Sequence, residues 1–181
     1  KRQAEMKAKS RPIDRLAVTC ALEHFTAILA EAILTSPELV EGFDPRVRAM
    51  WIWHAIEETE HKSVAYDVFE HVGGDYRTRV VAMLFVTREF ILNQIHFHRK
   101  LMEADGESRN VKSKARGFLK YWGPRGVFTK LAPAYLEYFR RDFHPWQHDN
   151  RELVTKWKRY VEEQAKRVVP QAGKAEIRRA A

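Results

Sequence analysis

Cysteine occurs once in 181 residues, as Cys20. A single thiol excludes an intrachain disulfide framework and zinc sites built on several thiolates, and it fits a reducing compartment, so the cytosol is the expected location. Glycine (8) and proline (7) are sparse, and alternating strand patterns are absent, which is how an all-α chain is punctuated. No cationic start followed by an apolar stretch and a small-residue cleavage site opens the chain, so no secretory signal is expected. The longest apolar run, Val80 to Ile95, is interrupted by Arg88 and Glu89 and falls short of the roughly 20 residues that cross a bilayer. No transmembrane segment is therefore expected. Also missing are the Gly-x-Ser-x-Gly elbow, the Walker loop and the dinucleotide fingerprint.

What the chain does contain is 45% hydrophobic and 31% charged residues, enough to bury one core. Residues 1–181 read as a single helical domain with basic tails over about 1–11 and 170–181. The net charge of +8 and a pI near 9.7 suit anionic partners. Much of the excess sits in those tails, however, and no helix-turn-helix, finger or RNA-recognition signature accompanies it, so specific nucleic-acid binding is not expected.

Apolar residues at helical spacing predict a helix from Asp14 to about Thr35, ended by Ser36-Pro37. A second helix is predicted from Asp44-Pro45 to Gly73-Gly74. A third, strongly apolar and so expected to be well buried, should run from Asp75 or Tyr76 towards Asp105-Gly106. Gly117, Gly123-Pro124 and Gly126 cut residues 108–132 into short helical pieces, a loosely packed arm. Pro133 is expected to open a short helix ending before Pro145. A charged helix from Arg151 to Val168 closes the pattern, stopped by Pro170.

The second helix carries the chemistry. In Trp53-His54-Ala55-Ile56-Glu57-Glu58-Thr59-Glu60-His61, with His54 at zero, Glu58, His61 and Glu57 fall at about 40°, 340° and 300° around the axis. Met50, Trp51, Val64 and Ala65 flank that stripe, so it is expected to face inward. Two carboxylates and two imidazoles buried there would need compensation. Glu58-x-x-His61 is the spacing by which one helix offers a carboxylate and an imidazole to a metal. The alternative is a solvated strip of i,i+4 pairs such as Glu58 with Lys62. On the first helix, Glu23-His24 lies in an apolar stretch, with Thr19, Cys20, Thr26, Ala27 and Ala30 leaving room for an inward carboxylate; pairing of Glu23 with an arginine is the alternative. His96, His98, His144, His148 and Asp149 are a second histidine group. His96 and His98 lie about 200° apart on a helix, and a structural role is expected. Glu89 is a candidate further ligand, with pairing to Arg88 or a neighbour the alternative expected first, and Cys20 is expected to be inert.

At Leu22-Glu23-His24-Phe25-Thr26-Ala27 and from Trp53 to Val68, continuing through Gly73-Gly74-Asp75-Tyr76, Arg79 and Phe143-His144-Pro145-Trp146, the sequence resembles the bacterial family of predicted metal-dependent hydrolases. That resemblance implies a ferritin-like helical bundle, here with additional C-terminal helices. It places Glu23, Glu58 and His61 as metal ligands and Glu57 and His54 beside them as candidate proton acceptors. It also implies a divalent transition metal (iron, manganese or zinc), in a mononuclear or dinuclear site, and a small-molecule substrate. Family members carry upstream segments of the type Phe-Pro-x-Gly-Glu and Gln-Glu-x-x-His, which this sequence lacks. A chain starting at Lys1 thus resembles the later part of a family member, and either missing sequence or a second copy in a homodimer would supply the other half of a dinuclear site. Two other readings stay open: a di-iron or iron–manganese oxidase or oxygenase using the same ligands, and a non-catalytic basic helical module.

Overall fold

The computed structural model describes residues 10–168, and these are helical throughout their regular structure, with no strand among them. Residues 1–9 and 169–181, which include most of the expected tails over about 1–11 and 170–181 and the stop at Pro170, lie outside the described residues. Helix α1 spans Pro12–Thr35, α2 Pro45–His61, α3 Val64–His71, α4 Tyr76–Ala104, α5 Val111–Trp122, α6 Val127–Glu137 and α7 Arg151–Val168. Short 3₁₀ turns occur at Pro37–Leu39 and Pro145–Gln147. The all-α class read from the sequence holds.

Helix α1 is the central element. Pro12 occupies its first turn, where the missing N–H costs nothing, and Asp14 accepts from the Arg11 backbone N–H at 3.2 Å. Its alanines and Cys20 let other helices approach closely on several sides, and two cores are strung along it. The N-terminal half packs Ala17, Cys20 and Ala21 with Ala65, Tyr66 and Phe69 of α3, Met83 and Val86 of α4, and Tyr138 and Phe143. Towards its C-terminus, Ala30 and Leu34 pack with Ile52, Ala55 and Ile56 of α2 and Val154 of α7. Trp157 of α7 donates its indole N–H to the Leu34 carbonyl at 2.8 Å, tying the last helix to the first.

Three expectations are corrected. The predicted second helix is broken at Lys62-Ser63 into α2 and α3. The break falls where Lys62 and Ser63 turn inward to the 143–150 segment. The buried Lys62 ammonium donates to the His148 carbonyl at 2.6 Å and to Asn150 Oδ1 at 2.9 Å, and it lies 4.4 Å from the Trp146 ring centroid. Ser63 accepts from the Trp146 indole at 2.9 Å.

Second, α4 is not well buried: only Arg79, Ala82, Met83 and Val86 are, all in its first three turns. Contact with α1 extends no further than Phe90, which stacks on Phe25 at 5.2 Å between centroids, and the apolar residues beyond it, such as Ile91, Leu92 and Ile95, stay exposed. By length and composition alone, α1 and α4 are both apolar enough to cross a membrane; 44% of the α1 window is buried inside the fold but only 17% of that in α4. Third, Pro133 lies inside α6 instead of opening a helix. The helix starts earlier because Gly126 can approach the Tyr121 carbonyl so closely that a Cβ there would lie 2.4 Å from it, and one lost backbone bond at Pro133 is tolerated in an exposed turn. The arm expected around residues 108–132 is present: α5 has no buried residue.

Candidate metal and catalytic site

Glu23 lies where α1 meets the end of α2 and the start of α3, and the charges of Glu58 and His61 act on it there. The Glu23 carboxylate accepts from the Ala65 backbone N–H at 3.3 Å, at the free N-terminal end of α3. Burial raises its pKa above the ordinary range; the Ala65 hydrogen bond and His61 pull the other way, and the Glu58 charge adds to the rise. Glu58 and His61 are therefore within electrostatic reach of Glu23. Glu58 is also drawn sideways, to His54 Nε2 at 3.4 Å. Glu57 is partly exposed on the flank of α2, and the groups acting on the Glu23 carboxyl do not include it.

The stripe does not face inward as expected. His61 and His54 are exposed, Glu58 and Glu57 are half-buried, and Met50, Trp51, Trp53 and Val64 beside them are exposed. The physical reason is the placement of the buried side of α2. Ile52, Ala55, Ile56 and Thr59 fill the face turned to α1 and α7, and this leaves His54 and His61 on the other side of the helix. Among the described residues no three His, Cys, Asp or Glu side chains converge as a metal-binding group. Neighbouring carboxylates repel without a cation between them, and Glu58 has His54 as a nearer partner.

Lys62 does not pair with Glu58, being buried against His148 and Asn150, and its pKa is lowered by that burial. Glu23 takes a backbone amide rather than an arginine. Glu89 pairs with Arg88 at 2.6 Å. The second histidine group is dispersed. His96 and His98 are exposed on α4, His144 bonds Asp67 at 2.9 Å, and His148 bonds Glu31 at 2.7 Å. His24, next to Glu23, points away into the core: its Nε2 lies 3.1 Å from the Ala134 carbonyl, and burial pushes its pKa down to about 4. It is a neutral packing residue. A cleft of about 300 Å³ opens between α1 and α6, lined by Ile28, Glu31, Leu131 and His148 among others, but none of Glu23, Glu58 and His61 borders it.

One feature of the core had no signal in periodicity or spacing. Arg79 is buried among the rings of Tyr66, Tyr76, Tyr138 and Phe143, its guanidinium carbon 5.1 to 5.6 Å from their centroids. Its Nη2 donates to the Arg140 carbonyl at 2.6 Å. Its Nη1 and the Tyr138 hydroxyl are buried without a partner among the described residues. The sequence marked Arg79 only through the family resemblance.

No curated protein and no solved structure matches the chain. Residues 1–149 match the family described as predicted metal-dependent hydrolase, and the chain belongs to that family.

Proposed function

We propose that this family member hydrolyses a small-molecule substrate with a divalent transition metal held by Glu23, Glu58 and His61. The observation that supports the reading is the half-buried Glu23 carboxylate on the Ala65 amide at the start of α3, with Glu58 and His61 of the end of α2 acting on it electrostatically. The donor set fits the group: carboxylate and imidazole suit iron, manganese and zinc alike, and a cation would remove the repulsion between Glu23 and Glu58. Bound there, the ion would act as a Lewis acid and lower the pKa of water to about 7 in the manner of zinc sites.

The residues of the chain have separable parts in this reading. The Ala65 amide orients Glu23. His54 holds Glu58 in the absence of metal and, once released, is free to accept a proton from the attacking water, with Glu57 as the neighbouring base. Two carboxylates and one Glu-x-x-His imidazole make up half of the set found in carboxylate-bridged dinuclear bundles, the ferritin-like architecture included. A second copy presenting the same face across a two-fold axis, or chain of the Gln-Glu-x-x-His type, would supply the rest.

The test is metal content and affinity. Protein prepared without chelator and titrated with Mn²⁺ or Zn²⁺ by calorimetry should bind the ion, with Glu58→Ala and His61→Ala each reducing affinity at least about tenfold, the loss expected when a ligand is removed. Undiminished binding in both variants would overturn the assignment.

A further inference from the structure

The 29 residues from Ser108 to Leu136 contain seven Lys and Arg and no Asp or Glu. Helix α5 lies inside this stretch, and its two faces differ sharply. Val111, Phe118 and Trp122 share one stripe with Leu119 at its edge, whereas Lys112, Arg116 and Lys120 share the other, at 100° per residue. No residue of α5 is buried. Val111 is 74% exposed and Phe118 and Leu119 are each 64% exposed, so the apolar stripe lies open from Val111 to Leu119. The helix is held chiefly at its C-terminal end, where Trp122 stacks on Phe128 of α6 at 4.8 Å between centroids and Thr129 donates to the Trp122 carbonyl at 3.0 Å. The exposed distal half of α4 leads directly into it.

We propose that α5 is a membrane-contact helix that lies on an anionic lipid surface. Two independent features select this partner. An uninterrupted positive segment complements an anionic headgroup layer, and a separate apolar stripe beside it fits the acyl boundary beneath. Tyr121 and Trp122 stand at the end of the helix, and amphipathic rings of this kind settle at headgroup level. A nucleic acid would engage the cations but leave Val111, Phe118 and Leu119 without a role. An apolar protein groove would bury the stripe but gain nothing from a segment free of carboxylates.

The test uses the full chain and sedimentation with vesicles of phosphatidylcholine alone or with three-tenths phosphatidylserine. Binding is expected only to the anionic vesicles, with a blue shift of tryptophan emission that is absent in Trp122→Phe. It should weaken as salt is raised. Lys112→Gln, Arg116→Gln and Lys120→Gln together should lower the partition coefficient about a hundredfold, at roughly fivefold per cation. The triple variant leaves the terminal basic residues intact and removes no buried group, and circular dichroism checks its fold. Four results would overturn the proposal: no binding to the anionic vesicles, equal binding by the triple variant, resistance of the bound protein to alkaline extraction as an inserted helix would show, or tighter binding to a homopolymeric RNA than to the vesicles.

Discussion

Arg79 shows how a single residue can organise a core. A buried guanidinium normally has a carboxylate partner, yet this one is compensated by four aromatic faces and the Arg140 carbonyl. Removing the side chain empties that space and leaves the carbonyl unpaired, so Arg79→Ala is expected to cost about 3 kcal/mol. Arg79→Met refills the space without a charge to desolvate and should cost about 1 kcal/mol. Urea midpoints at unchanged slope would measure both, and equal losses would mean that the contacts of the guanidinium, not the space it fills, stabilise the cage. Cys20 behaves in the opposite sense. Burial first, and the Glu23 charge after it, push its thiol up to about 12, so at pH 8 almost no thiolate exists in the folded chain. A thiol reagent should react with native protein only as fast as the fold opens, and immediately in denaturant. A fast phase in native buffer would contradict the buried placement.

Among the elements, the junction between α3 and α4 is the most constrained by local chemistry. Gly73 has φ +79, a left-handed conformation that suits glycine, and the Gly74 N–H donates to the Phe69 carbonyl at 2.8 Å. Asp75 then caps α4 by accepting from the Thr78 N–H at 3.0 Å. A Cβ on Gly74 would meet the Phe69 ring at 2.4 Å. That ring is fully buried and cannot swing aside cheaply. Gly74→Ala should therefore be the most damaging change in this turn, about 2 kcal/mol, with Gly73→Ala and Asp75→Ala each near about 1 kcal/mol. Thermal unfolding of the three variants ranks them, and a harmless Gly74→Ala would show that Phe69 yields. The glycine pair and the capping aspartate were legible in the sequence because turns and caps are written in local residue types. The burial of α4 was not. Its apolar periodicity states only that a face seeks cover, whereas burial is decided by tertiary packing, and of its apolar residues only Ala82, Met83 and Val86 are fully covered. The same limit applies to the site. The spacing from His54 to His61 puts those residues on one face of a helix, but nothing local says that Ile52, Ala55 and Ile56 would claim the side turned to α1. Likewise Lys62 reads as a surface partner for Glu58 until a segment more than 80 residues later surrounds it.

At the scale of the molecule, burial is uneven, and this separates stability from exposure to partners. Both cores lie along α1, drawing on α2, α3, the first turns of α4, α7 and the Tyr138–Phe143 segment. From Ile91 to Trp122 no residue is buried. Local opening follows buried contact, so this segment should open at a small fraction of the free energy needed to unfold the cores. Trypsin has targets in both regions. Within residues 10–168 its first cuts are expected at Arg109, in the exposed turn after Gly106, and at Lys112 and Lys114 in the first turn of α5. Arg79, buried in its aromatic cage, should be cut only after global unfolding. Peptide mass analysis over a time course reads the order directly, and early cleavage at Arg79 would mean that the aromatic core is not the stable part of the fold. Repeating the digestion with anionic vesicles links stability to surface chemistry. If α5 lies on lipid, cleavage at Lys112, Arg116 and Lys120 should slow while the cores keep their resistance, whereas a general slowing at every site would indicate trapping of the enzyme and not protection of the arm.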